Sequence, residues 1–259
     1  MKASETSKET VYLIGAGPGD PELLTLKGKR LIDEADIIIY AGSLVNAKVL
    51  EGHKADARIH NSASMTLDEV IDVIAAGVAA GKKVVRVHTG DPSIYGAIRE
   101  QMDRLEAMGI PFDVVPGVSS FTASASVLKK EFTLPDVSQT VICTRLEGRT
   151  PVPEKEQLES LAAHRASMAI FLSVQNIGEV AARLRAHYRP DTPVAVVQRA
   201  TWPDQKIVAG TLADIAEKVK AAGIRKTAQI LVGDFLGDQY SLSKLYDPGF
   251  SHEFRKASR

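Results

Sequence analysis

Two glycine-rich loops carry the residues of this chain best suited to holding a ligand. The first reads Gly15-Ala16-Gly17-Pro18-Gly19-Asp20, the second Thr89-Gly90-Asp91-Pro92-Ser93-Ile94-Tyr95-Gly96. Each follows a short, mainly apolar run, residues 11–14 and 83–88. Such a run is a candidate buried strand, and glycines after it let the backbone lie close to a ligand. In open α/β sheets ligands bind beyond the carboxyl ends of the strands. Two such loops therefore point to one shared crevice. Asp91 can accept hydrogen bonds from a ligand ammonium there. The pair Asp91-Pro92 serves equally as a helix N-cap with proline at the first helical position. His88, on a strand, reads more readily as a packed histidine than as a base.

The remaining constellations are weaker. Arg145 and Arg149 stand four apart in one loop, and Arg199 and Lys206 add cations to the second half. Arginines of this kind hold carboxylate-rich ligands, although scattered cations also make an ordinary solvated face. There is no H-E-x-x-H, no P-loop and no G-x-S-x-G. Histidines at 53, 60, 88, 164, 187 and 252 lack metal-ligand spacing, so no metal site is expected. Cys143 is the sole cysteine, which leaves neither an intrachain disulfide nor a cysteine-based metal site.

The first loop suggests a dinucleotide cradle, but the fit is poor. The fingerprint is G-x-G-x-x-G with an acidic residue about 20 positions on. Here the third glycine comes one position early, and Pro18 lacks the N–H a phosphate would use. Asp20 sets a negative charge against a pyrophosphate. Asp36 has the right distance but opens its strand rather than ending it. An NAD-dependent oxidoreductase stays as an alternative, as does a glycine turn that only tightens the fold.

The 259 residues suffice for one large domain or two of ordinary size. Hydrophobic content of 44% and charged content of 25% are those of a soluble globular protein. A formal net charge of +0 argues against general nucleic-acid or membrane-surface binding. No apolar run approaches the roughly 18 residues of a membrane span, and the polar start has no apolar signal-like core. A cytoplasmic protein with neither nucleic-acid nor membrane partners is expected.

The elements that must position the loops alternate. Strands are expected at 11–14, 36–40, 55–60 (weak), 83–88 and 112–115. Helices are expected at 21–35, 66–81 and 94–108. Asp20 would cap the first helix, with Leu23, Leu24, Leu26 and Leu31 as its apolar contacts. Thr66 and Glu69 form a capping-box pattern. This alternation predicts a mostly parallel sheet. A short helix at 118–128 follows, with a domain boundary near 117–121. Further strands are expected at 140–144, 168–173, 193–198, 206–211 and 229–232. Helices are expected up to about 164, at 177–187 and at 212–222. The closer spacing of this half looks more antiparallel. Residues 1–10 are polar and expected to fray. A tail at 243–259 mixes cations with Tyr246, Phe250 and Phe254.

Taken together, VYLIGAGPGDPELLTLKG, VVRVHTGDPSIYG, VVPGVSSFTASAS and RATWPDQKIV resemble the tetrapyrrole methylases. Within that family YAGSL, TRLEGRTPVP, ATWPDQKIV and SKLYDPGFSHEFRK resemble the group that methylates precorrin-4 at C11 in cobalamin synthesis. The match covers about residues 11–256. It implies two α/β domains, 11–117 and 121–259, with the active site in the cleft between them, and a homodimer. It implies S-adenosylmethionine as cofactor, leaving as S-adenosylhomocysteine, and a tetrapyrrole substrate. Any metal would arrive with that substrate. Methylation at another ring carbon is the near alternative, and a non-catalytic pigment carrier a further one.

Carried over motif by motif, the cofactor residues would be Gly90, Asp91, Ile94, Ser119 and Ser120, with Leu172, Ala200 and Thr201 on the other side. Pro18 would lie near the ligands, and residues 228–231 would back the adenine. Other members often have Thr-Ala where Ser119-Ser120 stand and Met where Leu172 stands. Tyr40, Ser43, Arg145, Arg149 and Lys206 would face the substrate. The ring supplies its own nucleophilic carbon, so proximity and alignment are the enzyme's main task. Asp91 and Tyr95 would be the catalytic pair. Tyr40 and His88 are further candidates for taking up a proton.

Overall fold

The computed structural model describes residues 9–258, so most of the polar start falls outside the described residues. Two compact units divide the chain. One holds the residues up to Ala123 together with Thr201–Pro203, and the other holds Ser124–Ala200 and the residues from Asp204 onward.

In the first unit the elements run β1 (Val11–Gly15), α1 (Leu26–Glu34), β2 (Ile37–Tyr40), β3 (Arg58–Asn61), α2 (Leu67–Ala79), β4 (Val84–His88), α3 (Arg99–Ala107) and β5 (Phe112–Val115). The strands form one sheet of order β3-β2-β4-β1-β5, and every pair is parallel. Apolar strands alternating with helices require this arrangement, because each crossover buries a helix on a sheet face. Ile14, Ile38, Val85 and Val87 pack with Leu31 and Ile32 of α1 on one face. Val11, Ile37, Ile39 and Val84 pack with Ile71 and Ile74 of α2 and Leu105 of α3 on the other. The connections after β1 and β4, neighbours in the sheet, thus leave to opposite faces. A ligand crevice forms at such a switch point.

Local signals explain the boundaries. The Thr66 side chain accepts from the Glu69 N–H and the Glu69 side chain accepts from the Thr66 N–H, so α2 begins where the capping box places it. The first helix differs from expectation. Asp20 caps only a 3-10 turn at Pro21–Leu23, and Thr25 caps α1, accepting from the Gly28 N–H. Extended backbone at Leu24 and Thr25 separates the two turns. Leu26 is left 91% exposed rather than packed.

The second unit contributes β6 (Val141–Arg145), α5 (Leu158–Ala162), β7 (Ser167–Phe171), α6 (Ile177–Leu184), β8 (Pro193–Gln198), β9 (Lys206–Thr211), α7 (Ile215–Ala221) and β10 (Ala228–Val232). Helix α4 (Ser120–Leu128) spans the change of unit. The sheet order is β6-β7-β10-β8-β9. Only β6 and β7 are parallel, so the closer spacing does mark antiparallel pairing. Leu158, Val180, Leu184, Ile215 and Val219 of α5–α7 bury against Met168, Ile170, Val194, Val196, Ile230 and Val232.

Candidate functional site

At the carboxyl edge of the first sheet, three loops press together without side chains between them. The Ala16 N–H donates to the His88 carbonyl at 2.7 Å, and Gly17 and Gly90 exchange N–H···O bonds of 3.2 and 2.8 Å. A Cβ on Gly117 would stand 2.2 Å from the Gly90 oxygen and 2.8 Å from the Gly15 Cα. Only glycine permits that approach. The loops after β1, β4 and β5 are therefore one assembly, with Asp91 as its tie. The Asp91 Oδ2 accepts from the Gly117 N–H at 2.9 Å. Its Oδ1 accepts from the Ser93 N–H at 2.8 Å and from the Ser93 hydroxyl. Burial alone would raise the Asp91 pKa, but these hydrogen bonds outweigh it and hold the carboxyl below its usual value. Asp91 is an anion at neutral pH.

The expected helix from residue 94 does not begin there. Asp91 spends its side chain on an Asx-type turn rather than on a helix cap, residues 92–95 form turns, and α3 starts at Arg99. Tyr95 and Ala97 adopt positive φ, +54° and +50°. Non-glycine residues in this region are uncommon and cluster at ligand sites. The Tyr95 side chain is exposed and Ile94 is half-buried.

Beneath the loop, Arg86 and His88 point to the α3 side of β4 and are buried. The Arg86 guanidinium donates to the carbonyls of Ile39 and Val87 at 3.3 and 3.2 Å, and burial lowers its pKa to about 10. Burial, then the charge of Arg86, pushes His88 down to about 3. The His88 ring is neutral throughout the physiological range.

Ser119 is buried, and its carbonyl accepts from the Ala123 N–H and the Thr122 hydroxyl as α4 begins at Ser120. Pro18 is buried at the tip of the first loop. Tyr40 ends β2, the strand beyond β4, and Ser43 lies in the turn after it; Tyr40 is half-buried and Ser43 exposed. Thr201 lies against the first loop, its hydroxyl accepting from the Asp20 N–H at 3.0 Å.

In the second unit the strand directions put the carboxyl ends of β6, β7 and β8 and the starts of β9 and β10 along one edge. Arg145, Leu172, Ala200 and Lys206 all fall on that edge. Leu172 is 73% exposed with φ +54°. Ala200 is buried between Arg199 and Thr201, whose φ values are +50° and +69°. The Arg145 guanidinium donates to the carbonyls of Leu146, Thr150 and Pro151 and so braces its own loop. Arg149 and Lys206 are exposed.

Sequence reasoning passed over three residues that shape the site: Gly117, Asn46 and Trp202. The Asn46 amide donates to the Gly19 carbonyl at 2.8 Å, and the Trp202 indole N–H donates to the Pro18 carbonyl at 2.8 Å. A single tryptophan in a chain with only 5% aromatic residues was the available signal for the last of these.

A parallel sheet with ligand loops at its switch point, followed by a mixed sheet, is the frame of one class of enzyme. The family model of the tetrapyrrole (corrin/porphyrin) methylases matches residues 10–216, and the chain belongs to that family. A cobalt-precorrin-4 C11-methyltransferase of Methanocaldococcus jannaschii is 61% identical over 251 residues, 96% of this chain and 97% of that protein. The X-ray structure of a cobalamin biosynthetic enzyme, cobalt-precorrin-4 methyltransferase, superposes with a TM-score of 0.86 at 47% identity, covering 88% of this chain and 96% of that one. A uroporphyrin-III C-methyltransferase from Thermus thermophilus, crystallised with S-adenosylhomocysteine, gives 0.74 at 29% identity, covering 88% and 93%.

Proposed function

We propose that this protein transfers the methyl group of S-adenosylmethionine to C11 of precorrin-4, as the cobalt complex or the free ring, giving the corresponding precorrin-5 in cobalamin biosynthesis. The observation that carries the reading is the likeness to the Methanocaldococcus enzyme, 61% identity across 96% of the chain. The loop geometry fits the cofactor's chemistry. A cationic amino acid group suits an anionic Asp91, and close-packed glycine backbone suits a ligand held by main-chain groups. The cofactor supplies an activated methyl group.

In this reading Gly90, Asp91, Ile94, Ser119 and Ser120 hold the cofactor, with Pro18, Leu172, Ala200 and Thr201 completing its site. The chain's own task is alignment and exclusion of water. The low pKa of Asp91 suits it to hold a cation in place. Asp91 and Tyr95 are the catalytic pair of this reading, and Tyr95 is exposed on a strained turn. Tyr40 and Ser43 meet the ring system. Arg149 and Lys206, both exposed, meet substrate carboxylates, and Arg145 shapes the loop that carries Arg149. The working form is a cytoplasmic homodimer. No helix among the described residues is long and apolar enough to cross a membrane.

Incubation with methyl-labelled cofactor and each form of precorrin-4, followed by NMR of the pigment, tests the proposal. Label at C11 is the expected result, and label at another carbon or none overturns it.

A further inference from the structure

The loop at residues 15–20 does not hold its own shape. Pro18 is buried, and its carbonyl takes the Trp202 indole N–H at 2.8 Å. The Gly19 carbonyl takes the Asn46 amide at 2.8 Å. The Asp20 N–H goes to the Thr201 hydroxyl at 3.0 Å. Three consecutive residues are thus satisfied by side chains, two of them from adjacent positions some 180 residues further along. The five-membered ring of Trp202 lies against Gly19, where a Cβ would stand 2.1 Å from the indole Cδ1 and 2.3 Å from Nε1. The approach to Trp202 is strained, with φ of +50° at Arg199 and +69° at Thr201. Strain of this kind persists where surrounding contacts impose it. From Pro18 the path is short. Gly17 pairs with Gly90 through two backbone hydrogen bonds, and Gly90 precedes Asp91.

We infer that Trp202 is a positioning residue for ligand binding: its indole fixes Pro18 and Gly19, and through the Gly17–Gly90 pair it sets the 89–96 loop. The inference rests on the methyl-transfer reading. Trp202 is also the only tryptophan in the chain, so its fluorescence reports on this contact with no background from another indole.

Trp202→Phe keeps an aromatic ring and removes the N–H. Calorimetry with S-adenosylhomocysteine should show affinity about fivefold weaker, the equilibrium equivalent of one neutral hydrogen bond. Titration of the wild-type protein should change tryptophan emission with the calorimetric dissociation constant. Gly19→Ala, which displaces the ring rather than deleting its N–H, should weaken binding in the same direction and keeps the test open if Trp202→Phe does not fold. A role confined to stability predicts a lower melting temperature with unchanged affinity and silent emission, and that outcome overturns the inference. Wild-type protein that binds no S-adenosylhomocysteine overturns this inference together with the methyl-transfer reading. Wild-type protein that binds it, with variants that bind equally well, overturns this inference alone.

Discussion

Asp91→Ala removes the acceptor for three hydrogen bonds, from the Gly117 N–H, the Ser93 N–H and the Ser93 hydroxyl. Hydrogen bonds to a charged group contribute about 1.5–3 kcal/mol each when buried. Asp91 is partly exposed, so solvent screening reduces that to about 1 kcal/mol each. The sum is about 3 kcal/mol, which lowers the melting temperature by roughly 6–12 °C. The same loss frees Gly117 from the loop that carries Gly90, so S-adenosylhomocysteine should bind at least tenfold more weakly. Asp91→Asn keeps one oxygen, for either the Ser93 donors or the Gly117 N–H, and turns its amide N–H₂ toward the other. It should cost about 1–2 kcal/mol by the same count. The sign of the pH dependence follows from the lowered pKa. The stabilisation by Asp91 is full above the unfolded carboxyl value of about 3.9 and fades as pH falls through the lower folded value. The gap between wild type and Asp91→Asn should therefore be widest near neutrality and close in acid. Scanning calorimetry across pH, with ligand titration at pH 7, checks each part. An Asp91→Ala protein that melts within 1 °C of wild type and binds within twofold would refute the reasoning.

Gly117→Ala should destabilise by more than about 3 kcal/mol, because its Cβ meets backbone on two sides and neither can yield. Gly178→Ala, in α6 with nothing within 4 Å of the new methyl, should stabilise by about 0.5–1 kcal/mol; paired denaturant melts compare the two. His88, lowered to about 3, should show ring resonances that do not titrate between pH 8 and 5. Because the unfolded chain takes up that proton near pH 6.5, stability should fall by about 2 kcal/mol from His88 alone between pH 7.5 and pH 5. His88→Gln should flatten that slope in pH-dependent melts.

Much of the fold was legible in the amino-acid order because it depends on neighbours. The run 11–14, the capping box at Thr66 and Glu69, and the strands at 112–115, 193–198 and 206–211 are set by short-range periodicity and caps, and they stand where expected. The helix starts at 21 and 94 were misplaced for a local reason. Asp20-Pro21 and Asp91-Pro92 look like helix caps, but each aspartate spends its side chain on a tight turn, and the helix begins several residues later. The motifs of the two glycine loops and of residues 200–208 were equally legible, and with them the family. Sequence could not show that Gly15, Gly90 and Gly117 share one point, that Asp91 is tied to Gly117, or that Trp202 lies on Gly19. Those contacts join residues 26 to 183 positions apart, and no period or cap links such positions in a linear chain. Only the parallel pairing of β1 with β4 and β5, and the return of Thr201–Pro203 to the first unit, bring them together. The chemistry was written in residue types; the hydrogen bonds that hold Asp91 below its usual value and the shape of its loop were decided by the tertiary fold.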